Sequence, residues 1–295
     1  MSTQNYYVPD QSRFPIFMAV SLFLLVMGAS STINNLGDAD NNSVYILYAG
    51  FLSLFTTLFF WFRQVVKEHL AGLDSNQLKT SYVYGMAWFI FSEVMFFAAF
   101  FGALYYARMF SIPWLSGEGQ GGHNGTHEFL WSSFQASWPM NVMPDPSKYT
   151  QYKDVVPAFG VPAINTALLL ASGVTVTFAH WALKKANRTA LSAWLFATVV
   201  LGFVFVYFQA GEYAHAMNDL DLTINGGIYG STFYLLTGFH GFHVTMGAVM
   251  LAVILFRSLK GHFTKKDHFA FEAVAWYWHF VDVVWLGLFI FVYWI

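Results

Sequence analysis

Residues 88–101 read WFIFSEVMFFAAFF, and Glu93 is the one charged residue among them. A run this apolar and aromatic belongs in hydrocarbon, where a carboxylate costs about 2.5–3.5 kcal/mol. An acid in such a place is neutral, paired with another group, or kept for a function. What surrounds it decides first what kind of chain this is.

The chain has 295 residues, 57% hydrophobic, 20% aromatic and only 10% charged. Soluble domains carry about 25% charged residues, so the shortage of charge points to an integral membrane protein. A mean hydropathy of +0.48 agrees. The net charge of −2 argues against a broad nucleic-acid footprint. With no cysteine, disulfides, thiolate metal sites and cysteine nucleophiles are excluded. The opening MSTQNYYVPDQSRF lacks a basic region feeding a short apolar core, so no cleavable signal peptide is expected.

A bilayer core of about 30 Å takes roughly 20 apolar residues per helix. Seven stretches qualify, near 14–33, 43–62, 80–107, 157–180, 192–212, 229–256 and 270–294. They are continuously apolar rather than alternating, which excludes the pattern of a membrane β-barrel. The expectation is one all-α, seven-helix membrane domain, with an extramembrane loop over about 108–156. That loop holds a Gly-rich stretch, GEGQGGHNGTH (117–127), and the turn-forming WPMNVMPDP (138–146). The Asn124-Gly125-Thr126 sequon within it is incidental in a bacterial chain. No convincing internal repeat is visible, which weakens inverted-repeat transporter folds.

Lys and Arg near span ends set the orientation. Arg13, Arg63, Lys67, Lys79, Lys184, Lys185, Arg188, Arg257, Lys260, Lys265 and Lys266 fall on one side, eleven of the fourteen basic residues. Arg108, Lys148 and Lys153 fall on the other. The two shorter loops of that second side carry Asp38, Asp40, Asp219 and Asp221 and no basic residue. The N-terminus is therefore expected in the cytoplasm and the C-terminus outside.

Several polar residues lie inside the spans. Glu93 sits about thirteen residues into the third, roughly 20 Å along it at 1.5 Å per residue. His240 and His243 are three apart in the sixth and share a face. Glu272, Trp276 and His279 share a face of the seventh, and His279 with Asp282 forms another three-apart pair. His180 closes the fourth beside Lys184 and Lys185. Such groups suit a proton path or, as neutral imidazoles, a metal or haem site. Equally, they suit hydrogen bonds that fix helix packing. Packing has its own support: Ala98 with Gly102, Ala99 with Ala103, and Gly238, Gly241 and Gly247 are small residues that let membrane helices approach. Trp61, Arg63, Lys67, Glu68, His69, Arg257, Lys260 and His262 cluster at the cytoplasmic ends of spans two and six. They read either as interfacial anchors or as a headgroup site, since basic pockets between helices bind anionic lipid.

Four stretches together resemble one family. They are SEVMFFAAFF (92–101), NTALLLASGVTVTFAHWAL (165–183), YGSTFYLLTGFHGFHVTMGAVML (229–251) and HFAFEAVAWYWHFVDVVWLGLFIFVYW (268–294). The family is subunit III of the haem-copper cytochrome c oxidases, and the resemblance runs over nearly all of the chain from the second span onward. It implies a chain without catalytic residues, metal or redox centres of its own. Such a chain packs beside catalytic subunit I, which carries haem and copper, and the copper-bearing subunit II. It implies two bundles, helices 1–2 and 3–7, separated by a V-shaped cleft filled with phospholipid. Glu93 matches the family's carbodiimide-reactive carboxyl, which is dispensable for turnover. The family is associated with sustained proton uptake, protection from turnover inactivation, and a lipid route for oxygen.

By position, the lipid contacts are Trp61, Glu68, Arg257, Lys260 and His262, with Arg63 adjacent. His240, His243, Glu272, His279 and Asp282 become structural polar groups. This sequence reads WFRQ at 61–64 where relatives often read WWRD, and His69 stands at a different spacing from the family's histidine after the acid of span two. The long outer loop departs from the mitochondrial pattern and favours a bacterial plasma membrane. A proton-coupled transporter using Glu93, His240 and His279 is the alternative. A b-type cytochrome fits less well, because three-apart histidines on one helix cannot bracket the two faces of a haem.

Overall fold

A computed structural model of the chain describes residues 11–35, 42–73, 75–118 and 124–295, and every regular element among them is helical. In order these are α1 (Phe14–Asn34), α2 (Ser43–Leu70), α3 (Asn76–Tyr106) with a π-helical turn (Ala107–Ser111), α4 (Ile112–Leu115) and α5 (Asn124–Leu130). Then come α6 (Val161–Lys184), α7 (Arg188–Asn218), α8 (Gly227–Leu259), and α9 (Phe269–Leu288) with a closing π-helical turn (Phe289–Trp294). Seven helices are long and apolar enough to cross a membrane: α1, α2, α3 continued to Leu115, α6, α7, α8 and α9 continued to Trp294. Lipid offers backbone groups no partners, so each span must close its own hydrogen bonds, and helices do this. The stretch from 108, expected as loop, begins as helix as far as Leu115. Residues 1–10, the loop acids Asp38 and Asp40, and 119–123 of the Gly-rich stretch lie outside the described residues.

Local sequence sets the helix ends. Pro15 and Pro162 occupy the first turns of α1 and α6, where a missing N–H costs nothing. Asn187 caps α7 by accepting a hydrogen bond from the Ala190 N–H at 3.0 Å. Phe59, Trp88, Phe91 and Tyr207 stand exposed on the helix faces, the inversion of a soluble surface that hydrocarbon requires.

The chain divides into two compact units, Met1–Tyr82 and Val83–Ile295. The first is the hairpin of α1 and α2 with the opening of α3. Its helices touch backbone to backbone. A Cβ at Gly28 would overlap the main chain of Leu47, and one at Gly50 would lie 2.7 Å from Leu25 Cα. Small residues are the usual means of such close approach.

The second unit is organised by two indoles of α9. Trp278 is fully buried and donates from Nε1 to Ser172 Oγ at 2.9 Å. Trp285 donates to Thr166 Oγ1, also at 2.9 Å. Both acceptor hydroxyls donate in turn to carbonyls of α6, at Leu169 and Pro162. Each bond is therefore saturated at both ends. Gly202 of α7 and Gly247 of α8 face Trp278, and a Cβ at either would fall 2.8 or 2.7 Å from its ring. Thr175–Thr198 at 2.8 Å joins α6 to α7, and Tyr213–Thr237 at 2.6 Å joins α7 to α8.

The segment after α5 is tied to the α7–α8 turn. Lys153 N–H donates to the Leu220 carbonyl at 2.8 Å and Thr150 N–H to that of Asn225 at 3.2 Å. The Lys153 ammonium meets Asp221 at 2.8 Å, and that hydrogen-bonded carboxylate raises its pKa above the ordinary lysine value. Met140, Met143 and Tyr152 are buried in the same region.

Gly247→Val is expected to lower stability by about 1–3 kcal/mol, the usual cost of overpacking a filled core. Gly85, with nothing within 4 Å of its would-be Cβ, should accept Ala without loss. Thermal unfolding of the detergent-solubilised protein measures both.

Candidate functional site

Glu93 has its partner on another helix. Its Oε2 lies 2.8 Å from His243 Nε2 of α8, so the acid is bridged to a residue 150 positions along the chain. His243 Nδ1 lies 2.6 Å from the Phe239 carbonyl. A carbonyl only accepts, so Nδ1 carries a proton and Nε2 faces the carboxyl. A contact of 2.8 Å there holds one shared proton, as carboxylate with imidazolium or as carboxylic acid with imidazole. Either way the pair is neutral overall, and the cost of a lone charge in lipid is avoided. Rings of Phe96, Phe97, Phe242 and Tyr277 stand 5.1–6.3 Å from the imidazole. The His243 side chain is 9% exposed and that of Glu93 21%.

His240, one turn earlier, turns elsewhere. Its Nε2 donates to the Val281 carbonyl of α9 at 3.2 Å, and the ring packs on Trp285 and Phe205. The two histidines share a helix yet serve different neighbours, so they do not converge on one ligand. His279 and Asp282 approach only to 3.7 Å, with the His279 side chain half-exposed and the Asp282 side chain 9% exposed. His279 Nε2 reaches Thr177 Oγ1 at 3.5 Å, and the Asp282 carboxyl packs against Gly173 of α6. Glu272 stands between two imidazoles, His180 and His268, its Oε1 at 3.2 Å from each Nε2.

The expected lipid contacts fall in both units. In the first, Trp61, Arg63 and Glu68 lie on the last turns of α2. Trp61 stacks on Phe14 at 5.9 Å, Glu68 accepts from Gln64 at 2.8 Å, and Arg63 is exposed. In the second, Arg257, Lys260 and His262 lie at the end of α8. The Arg257 guanidinium lies 4.8 Å from the Phe263 ring and the Lys260 ammonium 4.4 Å from Phe256, cation–π contacts that hold the charges in place. The His262 N–H donates to the Arg257 carbonyl at 3.1 Å.

One buried group escaped the sequence reading. Glu212 of α7 is 3% exposed. Its Oε1 accepts from Tyr293 at 2.6 Å and from Gln209 at 3.1 Å. Asn165 of α6 extends the chain to Gln209 at 3.5 Å. The three-apart Gln209 and Glu212 at the end of the fifth apolar stretch were the available signal, since neither belongs on a lipid face.

The cytochrome c oxidase subunit III family profile matches residues 4–118 and 129–295. Cytochrome c oxidase subunit 3 of Squalus acanthias is 40% identical over 291 residues, covering 98% of this chain and 96% of that protein. The same subunit of Dugong dugon is 39% identical over 294 residues, covering 99% and 97%. That of Neotragus moschatus is 38% identical over 293 residues, with the same coverage. The chain is thus a multi-pass membrane protein of the respiratory-oxidase class, and it belongs to the cytochrome c oxidase subunit III family. Membership makes it part of a multi-subunit oxidase complex, in the non-catalytic role of a subunit III.

Two substitutions separate the roles in the acid–imidazole pair. Glu93→Gln keeps a donor for His243 Nε2 and should change the unfolding temperature little. Glu93→Ala leaves a buried imidazole nitrogen unpartnered and should cost about 1–3 kcal/mol. Equal melting temperatures for the two variants in detergent would contradict the pairing.

Proposed function

We propose that the chain binds structural phospholipid beside catalytic subunit I of a proton-pumping cytochrome c oxidase, the complex that passes electrons from ferrocytochrome c to oxygen. Haem and copper belong to subunits I and II. In this reading the chain sustains proton uptake into its neighbour, protects it from turnover inactivation and offers oxygen a lipid path. The chain itself contributes one seven-helix domain. The enzyme sits in a bacterial plasma membrane, with the N-terminus cytoplasmic and the C-terminus outside. The skew of eleven basic residues to one side supports that orientation. The long outer segment, whose residues 119–128 fall between the matched family stretches, supports the bacterial setting.

The observation that carries the reading is the enclosure of Glu93. Its carboxyl is neutralised in pair with His243, whose imidazole is ringed by aromatic side chains, and His240 one turn earlier bonds to α9 instead. A relay needs successive groups within hydrogen-bond reach, whereas an internally neutral pair suits a support role. Trp61, Arg63, Glu68, Arg257, Lys260 and His262 would hold lipid headgroups. His240, His243, Glu272, His279 and Asp282 would fix the helices.

An affinity tag on this chain should recover the haem-bearing subunit in equal amount from membranes, and recovery of the chain alone would overturn the proposal. Glu93→Gln should leave oxygen consumption by the complex within about twofold of the parent, a loss under 0.5 kcal/mol in the barrier. Arg257→Ala should reduce anionic phospholipid retained in the purified complex, counted by mass spectrometry, and shorten its active lifetime. Unchanged lipid content would remove Arg257 from the site.

A further inference from the structure

His180, His268 and Glu272 converge where α6 ends and α9 begins. Their donor atoms all lie within 4.8 Å of one another, and no other trio of His, Asp or Glu among the described residues does this. We propose that these three side chains bind one divalent metal ion of borderline softness, of the Zn²⁺ type. The site is independent of the lipid role argued above.

The spacing fits the ion. Zinc bonds of about 2.0–2.1 Å in a tetrahedron put neighbouring ligands roughly 3.3 Å apart. Glu272 Oε1 lies 3.2 Å from His180 Nε2 and 3.2 Å from His268 Nε2, so two edges of that tetrahedron already have their length. His268 immediately precedes α9 and Glu272 is four residues on, which brings both over one turn of the helix. His180, one turn from the end of α6, closes the third corner.

The tautomer of His268 is set for ligation. Its Nδ1 donates to the Thr264 carbonyl at 3.0 Å, which leaves the lone pair on Nε2. This is the outer-shell bond that metal-bound histidines characteristically make. The His268 side chain is 10% exposed, and its Nε2 is buried with no hydrogen-bond partner. That nitrogen faces a carboxylate oxygen at 3.2 Å, a contact that needs a cation between the two atoms, either a shared proton, as at Glu93, or a metal ion. Among cations, two imidazoles and one carboxylate favour Zn²⁺ over Mg²⁺ or Ca²⁺, which prefer all-oxygen shells. His180 and Glu272 side chains are 23% and 30% exposed, so a fourth corner is open for water and the ion has a way in.

Equilibrium dialysis of the purified full-length protein, with whatever subunits accompany it, against labelled Zn²⁺ tests the site. His268→Gln and Glu272→Gln should each bind one equivalent fewer than the parent. His215→Gln, which alters an exposed His–Asp pair near the other end of α7, should bind the same number. X-ray absorption on the parent should show imidazole scattering in a shell near 2.0–2.1 Å. Equal stoichiometry in all four proteins, or an all-oxygen shell, would mean adventitious zinc and overturn the site. A measurement without variants guards against misfolding. Saturating Zn²⁺ should protect His180 and His268 from diethyl pyrocarbonate, and a chelator should reverse the protection. Unchanged modification of both would likewise overturn the proposal.

Discussion

A polar side chain in hydrocarbon must find its partner inside the protein, because lipid supplies none. That constraint organises the second unit. The indole N–H groups of Trp278 and Trp285 end on hydroxyls of α6. The Glu93 carboxyl ends on an imidazole of α8, and Glu212 on the phenol of Tyr293. Bulk apolar contact discriminates weakly between one helix pairing and another when the surroundings are equally apolar. Bonds that can be made in only one arrangement discriminate strongly.

Close packing works with these bonds. Gly202 and Gly247 clear the volume that Trp278 fills, and without them the indole could not lie deep enough to reach Ser172. In the hairpin of α1 and α2, glycine sets the approach. Gly28 and Gly50 bring main chains into contact, and dispersion over that close surface holds the pair.

The sequence made the seven crossings plain, because a run of some twenty apolar residues is a one-dimensional signal. Glu93 was conspicuous for the same reason, as the single charge in such a run. Its partner was not legible. A helical pattern reveals neighbours three and four residues away, and His243 lies 150 positions on. The three-apart spacing of His240 and His243 suggested joint action, yet the rotation of α8 against its neighbours sends one ring to α9 and the other to α3. His268 and Glu272 are four apart and could be read as a pair, whereas the approach of His180 depends on how α6 meets α9. Glu212 went unnoticed because it ends an apolar stretch, where an acid passes for an interfacial residue.

The bonds between α6 and α9 join segments made far apart in time. During synthesis α6, α7 and α8 are made before α9, and until then the Ser172 and Thr166 hydroxyls lack their indole donors and the space beside Gly202 and Gly247 lacks the Trp278 ring. The α9 span is therefore the keystone of its unit: the bundle reaches its finished packing only once α9 has joined it. A chain cut short before Phe269 would leave the space at Gly202 and Gly247 unfilled and both indole bonds to α6 unmade.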